Sequence, residues 1–502
     1  MDLHSWSWLF LAAYIALMVF FGVIGSRRVA GADDFAVARR GYGPLVLALA
    51  FASTAASGAT FLGLPGLTYS FGMSTIWLAF LYPIGIYLGV LVCQRTIGQG
   101  GNESGARSIP EYLGERYQSE ALRVSAAVFS LMLLFYLAGQ LVAGLVMFEI
   151  MLGIPKIIAL GITTLVLLAY VTFGGAHADI LTDGAQGFLM VILAIAITVM
   201  FLLGFGAGGL DSLLDNLGNQ DGDLLRLFNP EVPITASPWS MIALVVAHIP
   251  LGLLPHIGNK LWALKDEKSR NRFLILAFTF GFVLPGIALG GATARAVLGD
   301  SLLGGGANTA LPALFIEIFP TWLAALLGVG ILAAVMSTAD GLVISTSQVF
   351  ANDIYRRSVA PRVHQDLPAE ALDKNVLLIS RIVTVLTLIG SALLAWFVID
   401  MNVVLLIWAG VGGFIAALAG PLVLGSVWNG VSRSGALAGF WTGAVIFILI
   451  HAGIISSVWP DAPAFAVAGE WFAFHARSPY SAATMGGLCS VVVTVVMSRF
   501  RP

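Results

Sequence analysis

The sequence predicts an all-α protein that crosses a membrane about thirteen times. Three observations support this prediction: the composition of the chain, its apolar runs and the placement of its charges. Of the 502 residues, 58% are hydrophobic and 10% are charged, whereas soluble domains carry about 25% charged residues. The chain has a net charge of −2 and no basic block, so it lacks the pattern of a nucleic-acid-binding protein. Its two cysteines lie in apolar segments and suggest neither disulfides nor a metal framework.

Thirteen apolar runs are long enough, at about 20 residues, to cross a bilayer. No positive charge precedes the first run and arginines follow it, so we interpret it as a retained span rather than a signal peptide. The predicted spans cover residues 6–26, 44–71, 74–98, 122–152, 156–173, 177–206, 238–264, 270–298, 321–352, 375–399, 401–427, 434–454 and 480–498.

The lysines and arginines predict the orientation of these spans. With the N-terminus outside, 21 of the 25 lie in cytoplasmic connections or at inner helix ends, and Lys260 is counted there. The exceptions are Lys156, Arg226, Arg295 and Arg477. Cytoplasmic loops are rich in Lys and Arg, so we expect the N-terminus outside and the C-terminus inside.

The stretch Gly328–Tyr355, which includes most of the ninth predicted span, places polar side chains at membrane depth. Ser337, Thr338 and Asp340 lie together in an otherwise apolar helix. A buried carboxylate costs several kcal/mol without a partner, which marks a candidate functional site. Hydroxyls and a carboxylate are hard oxygen ligands, so they suit a small hard cation.

The second predicted span contains glycines and a proline that interrupt its helix. An interruption at membrane depth lines a cavity or is buried in protein, because lipid cannot satisfy the freed backbone groups. Freed carbonyls near Ser53 and Ala56 could coordinate a cation, and amides near Ser57 and Gly58 could receive an anion. A small-residue packing face between helices is the alternative interpretation.

The seventh span is also interrupted, at Pro250, Gly252, Pro255 and Gly258. Because the second and seventh spans lie five apart, two groups of five spans begin with opposite orientations. Paired interruptions of this kind predict an inverted repeat with a site near the membrane midplane. The predicted organisation is a first extra span and loop at 1–43, repeat one at 44–206, an outer loop at 207–237, repeat two at 238–427 and two final spans at 428–502.

Two acidic residues, Asp179 and Asp183, lie one turn apart where the sixth span begins. His177 is on another face, so a metal-binding triad is a weak interpretation. We expect a helix N-terminus with solvated acids, with Asp183 as the exception because it lies deepest.

Four segments resemble the sodium:solute symporter family: SGATFLGLPGLTYSFG, FGGAHADILTDGAQ, LLPHIGNK and AAVMSTADGLVISTSQVFANDIY. The resemblance extends over essentially the whole chain. It implies a LeuT-type 5+5 core with one span before it and two after, and Na+ as the co-transported ion. It also implies a sodium site made of the carbonyls of Ser53, Ala56 and Ala334 and the hydroxyls of Ser337 and Thr338.

The chain departs from the family's two-sodium pattern at two positions. Members of that type carry hydroxyls where this chain has Asp340 and Gly341, which puts a conventional second sodium site in doubt. The resemblance assigns Asp183 to the ion-release route or to a second sodium. Asp183 and Asp340 are therefore candidates for a second cation or a proton, and burial of Asp340 against a hydroxyl or helix end is the alternative.

The resemblance implies a solute site between the two interrupted helices and spans four and eleven. The lysines and arginines are all assigned elsewhere, so an anionic solute would use helix N-termini, hydroxyls or imidazole. A sugar would want several Asn, Gln and Glu side chains. The candidate solute-binding residues are Ser57, Gly58, Thr60, Gln140, His248, Leu251 and Trp408.

The function predicted from the sequence is sodium-coupled import of a small organic solute. The LLPHIGNKLWALKDEKS segment looks closest to the pantothenate and monocarboxylate branches, which favours an organic carboxylate; a proline-like amino acid or a sugar is the alternative. We expect a monomeric transport unit in a bacterial-type inner membrane, with the bilayer and the solute as partners. A solute sensor would carry an appended signalling domain, and none of the usual catalytic motifs of an enzyme is found.

Overall fold

The computed structural model describes residues 1–29, 32–363, 367–458 and 466–500, without the side chains of 32–34, 169–174 and 267. Within these residues the protein is helical, and the sole β pairing is an isolated bridge between Tyr42 and Leu264. We number its principal helices α1 (Leu3–Ser26), α2 (Pro44–Ala55), α3 (Leu64–Phe71), α4 (Ile76–Ser104), α5 (Ile109–Arg116), α6 (Glu120–Phe129), α7 (Leu133–Leu152), α8 (Lys156–Leu202), α9 (Leu210–Gln220), α10 (Pro238–His248), α11 (Pro255–Gly258), α12 (Arg270–Val283), α13 (Leu289–Leu298), α14 (Ala310–Ile318), α15 (Thr321–Gln348), α16 (Ala369–Phe397), α17 (Val403–Leu418), α18 (Arg433–His451), α19 (Ala466–Ala476) and α20 (Pro479–Phe500).

Ten helices of the described chain are long and apolar enough to cross a membrane. An eleventh span exists if the pair Pro238–Leu253 and Pro255–Ala263, bent by 58°, counts as one. The second, fifth and seventh predicted spans are those that lack a single straight helix of membrane length. For example, α2 has 12 residues and is about 18 Å long, whereas the hydrocarbon core is about 30 Å thick. The second and seventh spans therefore have the interruptions that the sequence predicts.

The fifth and sixth predicted spans join at Gly175, the non-helical residue within α8. Its φ of 55° is easy for glycine because there is no Cβ. A Cβ here would also lie 2.7 Å from the backbone oxygen of Phe35. The turn brings Asp179 and Asp183 to the first turns of the long helix that follows it.

Small residues let the interrupted seventh span lie directly against α4. A Cβ on Gly85 would overlap the carbonyl oxygen of Val245, and one on Gly89 would overlap that of Ile249. Such close backbone approach is typical of packed membrane helices. It places His248 beside α4, where the ring centroids of His248 and Tyr82 are 5.6 Å apart.

One end of the bundle joins the connections that carry many of the arginines and lysines, and we call it the basic end. There Arg39 donates to Asn102 at 3.2 Å, and the Lys265 N–H donates to the Tyr42 carbonyl at 2.9 Å. Arg357 pairs with buried Glu111 at 2.5 Å, joining the segment after α15 to α5. Helix α5 begins with a serine N-cap, because Ser108 accepts from the Glu111 N–H at 3.0 Å.

Candidate ion and solute sites

The interruption of the second span lies between Ala55 and Ala59. Ala56 has a non-helical backbone with φ −93° and ψ 74°. The Thr60 N–H donates to the Ser57 carbonyl instead of continuing the helical pattern to Ala56. Ala56 is therefore positioned with a carbonyl released from the helix, in a region that is buried from solvent.

The side chain of Gln140 in α7 satisfies an amide in this interruption. Gly58 donates its N–H to the Gln140 Oε1 at 2.9 Å, and Gln140 is completely buried. The Gln140 amide nitrogen has no hydrogen-bond partner among the described residues. The anion-receiving amide predicted at Gly58 is thus occupied by a side chain, and the free donor beside it belongs to Gln140.

Helix α15 presents two hydroxyls to the end of α2. The Ser337 hydroxyl lies 3.2 Å from the carbonyl oxygens of both Ser53 and Ala334. Thr338 donates its hydroxyl to the Thr54 carbonyl at 3.0 Å. These residues are completely buried. The structure therefore brings Ser53, Ala334, Ser337 and Thr338 together beside Ala56, as the resemblance implies for a sodium site.

The hard oxygens in this group fit a small alkali cation. Carbonyl and hydroxyl oxygens are uncharged ligands. They can therefore surround a monovalent ion without the excess negative charge that the carboxylates of a divalent-cation site supply. Within the described residues, no group of three or more His, Cys, Asp or Glu side chains could hold a metal ion. We call the five residues, Ser53, Ala56, Ala334, Ser337 and Thr338, the sodium cluster.

A buried ionic triad lies directly beside the sodium cluster. Lys260 pairs with Asp183, and its Nζ lies 2.7 Å from the Asp179 Oδ2. Thr54 donates its hydroxyl to the Asp183 Oδ2 at 2.6 Å. The hydroxyl of Ser53 also donates to the Asp183 backbone carbonyl at 3.0 Å. The triad and the cluster are therefore joined through two consecutive residues of α2.

The triad corrects two expectations drawn from the sequence. Lys260 is 4% exposed and Asp179 is 6% exposed, so Lys260 does not lie in a solvated inner connection and Asp179 is not a solvated helix cap. The position of Lys260 at the end of a predicted span does not reveal its depth. The chain bends by 58° before α11, and Lys260 lies in the interior of the bundle. The apolar residues around Lys260 in LLPHIGNKLWAL were the signal in the sequence.

Asp340 is buried on α15, two residues beyond Thr338. Tyr14 of the first span lies close enough to interact electrostatically with both Asp183 and Asp340. Gln186 donates its amide to the Tyr14 hydroxyl at 2.5 Å. From the sequence, Asp340 and Asp183 are both candidates for binding a second cation or a proton. In the structure, Asp183 pairs with the ammonium of Lys260.

A cavity of about 40 Å³ lies on the other side of the second-span interruption. Of the predicted solute-binding residues, five line it: Ser57, Thr60, His248, Leu251 and Trp408. Gly58 and Gln140 lie next to it through their hydrogen bond. A cavity needs about 10–15 Å³ of such space to hold one water molecule, so this cavity has room for a few water molecules.

Aromatic rings form much of the cavity wall. The ring centroids of His248 and Trp408 are 4.6 Å apart, and those of Tyr82 and His248 are 5.6 Å apart. The Tyr82 hydroxyl also lies 3.3 Å from the Thr60 hydroxyl. Tyr136 and Tyr480 complete the set of rings. Among the described residues that line this cavity, none is an aspartate, glutamate, lysine or arginine.

Three of these aromatic residues were missing from the sequence prediction. Tyr136 lies one turn before Gln140 on α7, a spacing visible in the sequence. Tyr82 precedes Pro83 in α4, a helix without an interruption at that depth. Tyr480 comes from the last span, which reasoning from the inverted repeat leaves out. Only the Tyr136 position carried a signal that sequence reasoning could have used.

Comparison with known proteins identifies the family of the chain. The model of the sodium:solute symporter family matches residues 35–443. The chain is 29% identical to the sodium/pantothenate symporter of Haemophilus influenzae over 429 residues, covering 83% of this chain and 84% of the relative. It is 30% identical to the sodium/proline symporter of Escherichia coli over 457 residues, covering 87% and 86% of the two chains.

Solved structures show the same fold. A substrate-bound outward-open structure of a Na+-coupled sialic acid symporter superposes with a TM-score of 0.76 at 20% identity, covering 100% of this chain and 99% of that one. A closed structure of Mhp1, a nucleobase-cation-symport-1 family transporter, superposes with a TM-score of 0.54 at 13% identity, covering 93% and 94%. The fold is therefore LeuT-like, the family couples transport to sodium, and the chain belongs to the sodium:solute symporter family.

Proposed function

We propose that this protein imports a small organic carboxylate, such as pantothenate or a short monocarboxylate, together with Na+ by alternating access. The observation that carries the proposal is the contact of Ser337 and Thr338 with the backbone carbonyls of the interrupted second span. The same interruption lines the solute cavity through Ala55 and Ser57. One segment of chain thus belongs to both sites.

Sharing this segment supplies the coupling. Sodium in the cluster holds the end of α2 against α15, so it favours the conformation in which that contact is made. A solute bound in the same conformation then binds more tightly with sodium present, and sodium binds more tightly with the solute. A membrane potential of 100 mV adds about 2.3 kcal/mol for each sodium moved inward.

The electrostatics of the cavity favours a carboxylate. Its described lining holds no fixed cation, so a bound carboxylate has its nearest compensating charge in the sodium of the cluster. Carboxylate and sodium together are neutral, which lowers the cost of placing either in the membrane interior. A sugar fits less well, because Gln140 is the one Asn, Gln or Glu side chain that reaches this part of the described cavity.

A proline-like amino acid is the second candidate. Its carboxylate would use the same sodium, and its ammonium group would lie against the aromatic wall formed by Tyr82, His248 and Trp408. Aromatic faces attract cations by about 0.5–2 kcal/mol. The presence of a sodium/proline symporter among the relatives also supports this candidate.

The membrane topology is part of the proposal. Ten helices of the described chain are long and apolar enough to cross a membrane, and we count short α2, the first part of α8 and the bent pair at α10 and α11 as three further spans, which gives thirteen. We place the basic end in the cytoplasm, on the inner side of a bacterial-type inner membrane. The N-terminus is then outside the cell membrane and the C-terminus is in the cytoplasm. The transport unit is a monomer. In chain order it consists of a first span and loop at 1–43, repeat one at 44–206, an outer loop at 207–237, repeat two at 238–427 and the last two spans at 428–502.

A second cation or a proton belongs at Asp340 in this scheme. Lys260 already compensates Asp183, and Asp179 leaves the triad with a net charge of −1. Asp340 adds a further buried carboxylate nearby. One sodium then leaves a net −1 among these groups, which a second cation or a proton bound by Asp340 and Asp183 would neutralise.

A thermal-shift screen of the purified protein tests the proposal. Pantothenate, propionate, proline and galactose are each added in NaCl and in an equal concentration of choline chloride. We expect stabilisation by pantothenate or propionate that requires sodium, since ligands that bind the folded state raise its melting temperature. Sodium-dependent stabilisation by proline alone would select the second candidate. The absence of any sodium-dependent shift, together with no sodium-dependent uptake in proteoliposomes, would overturn the assignment.

A further inference from the structure

The last span reaches the solute cavity although it lies outside the two predicted repeats. Helix α20 packs on α10, where Thr484 donates its hydroxyl to the Ala243 carbonyl at 3.0 Å. It also packs on the segment that follows α17, where the Gly420 N–H donates to the Ser490 hydroxyl at 3.0 Å. These two contacts fix the first turn of α20 beside the interrupted seventh span and α17. Tyr480 is the second residue of that turn.

The Tyr480 ring is packed between two residues that line the cavity. Its centroid lies 4.6 Å from that of Trp408, in an edge-to-face arrangement, and 5.5 Å from that of His248, in a stacked arrangement. Tyr480 itself lines the cavity. Displacing this ring would therefore change the shape of the space that a solute enters.

The hydroxyl of Tyr480 is buried without a hydrogen-bond partner among the described residues. A buried phenol normally finds a partner, and leaving one without a partner costs stability. A phenylalanine would pack equally well between Trp408 and His248 without that cost. An unsatisfied hydroxyl on the wall of a binding cavity therefore indicates a group that the bound molecule completes.

The other hydroxyls and ring nitrogens nearby are better satisfied. Tyr82 lies within hydrogen-bonding distance of Thr60, and the His248 Nδ1 lies 2.5 Å from the Leu244 carbonyl. A neutral His248 therefore presents its Nε2 as an acceptor. The Tyr480 hydroxyl is thus a hydrogen-bond donor that none of these neighbouring groups accepts from.

We propose that Tyr480 is a specificity-determining residue that donates its hydroxyl to a polar group of the transported solute while its ring forms one wall of the site. The last span is then part of the solute site rather than a peripheral addition. The solute that fits has an oxygen acceptor remote from the end that faces the sodium cluster, with an apolar portion between them. This inference rests on the proposed function, because it assumes that the cavity holds the solute.

Thiol labelling tests the position of Tyr480 without knowledge of the solute. Cys93 and Cys489 are first replaced by alanine, and Tyr480→Cys is then treated with the small reagent MTSEA in proteoliposomes. The control is Ser490→Cys, a buried position on the same helix that faces the segment after α17. We expect Tyr480→Cys to react at least tenfold faster than the control. Equal rates would overturn the placement of Tyr480 on the solute route.

Substitution of the hydroxyl tests its role. The probe is whichever of pantothenate, propionate, proline and galactose stabilises the wild type in sodium. Tyr480→Phe keeps the ring, so we expect normal expression and sodium affinity but an apparent solute affinity about three- to tenfold weaker, the effect of one neutral hydrogen bond. An unchanged affinity would overturn the hydroxyl contact.

Removing the ring separates this inference from the proposed function. Tyr480→Leu should change the order of affinities among pantothenate, propionate, proline and galactose, whereas a purely structural residue would weaken all of them alike. An unchanged order would overturn the specificity role. If the wild type itself shows no sodium-dependent binding, the proposed function fails, while the labelling result still decides whether the last span lines an aqueous cavity.

Discussion

The ammonium of Lys260 lies 2.7 Å from the carboxylate of Asp179 in the interior of the helix bundle, and it also pairs with Asp183. Taking these charges out of water is costly, and the attraction between them offsets the cost only while every partner is present. The two carboxylates come from the sixth predicted span, in repeat one, and the ammonium comes from the seventh, in repeat two. The triad therefore joins the sixth and seventh predicted spans, which belong to different predicted repeats.

Removing the ammonium should destabilise the protein strongly. Lys260→Met leaves two uncompensated buried carboxylates, and breaking a buried pair in this way costs about 3–5 kcal/mol. We expect a clear fall in the melting temperature of the purified protein in detergent at neutral pH. The double variant Lys260→Met with Asp183→Asn should recover part of the loss. A single variant as stable as the wild type would show that the triad carries no net stabilisation.

Removing the Ser337 hydroxyl should weaken sodium binding. Ser337→Ala loses a proposed sodium ligand while leaving the carbonyls of Ser53 and Ala334 in place, so we expect the sodium concentration for half-maximal uptake to rise about tenfold or more. The control is Ser345→Ala, also on α15, whose hydroxyl donates to the Leu342 carbonyl of its own helix. Unchanged sodium affinity in Ser337→Ala with normal expression would contradict the assignment.

The buried carboxylate of Asp340 should contribute to ion stoichiometry. Replacing it in Asp340→Ser and Asp340→Ala removes one negative charge near the cluster, so we expect a loss of the second cation or of the pH dependence of uptake. The measurement is the reversal potential of solute flux in proteoliposomes at two pH values. Asp211→Asn, at an exposed position in the first turn of α9, is the control. Stoichiometry and pH dependence equal to the wild type in both Asp340 variants would leave that residue as a buried structural acid.

A methyl group at Gly58 should disturb the interruption of the second span. A Cβ there would lie 2.9 Å from the Gln140 Oε1, 3.0 Å from the Ala143 Cβ and 3.1 Å from the Val335 Cγ2. We expect Gly58→Ala to lower uptake at least tenfold, because it separates α7 and α15 from the break. Gly161→Ala is the control, since a Cβ on Gly161 would meet no atom within 4 Å. Uptake near the wild-type level in Gly58→Ala would mean that the break tolerates repacking.

The interruptions could be read from the sequence because glycine and proline act locally on the backbone. Their positions in the second and seventh predicted spans agree with the break at Ala56 and the 58° bend before Pro255. The polar residues of α15 were equally visible in the sequence, and the resemblance to the sodium:solute symporter family implied that Ser337 and Thr338 meet that break. The spans that are short or bent could not be confirmed as separate crossings by length alone.

The partners of buried groups were harder to predict because they depend on how distant helices pack. The apolar residues around Lys260 indicate its burial, but they do not identify Asp179 and Asp183 as its partners. Tyr480 was missed for a related reason: it lies far along the chain from the interrupted spans, and only packing of α20 on α10 and α17 brings it to the cavity. Periodicity describes one helix, whereas these contacts involve several.

Thr54 holds two different helices with its two oxygen atoms. Its carbonyl accepts from Thr338, and its hydroxyl donates to Asp183. Sliding α2 along its own axis by one residue, a rise of about 1.5 Å, would break both bonds together. The first half of the second span, α2, is thus fixed in axial register, and its motion in the transport cycle should be a tilt about Thr54 rather than a slide along the helix axis.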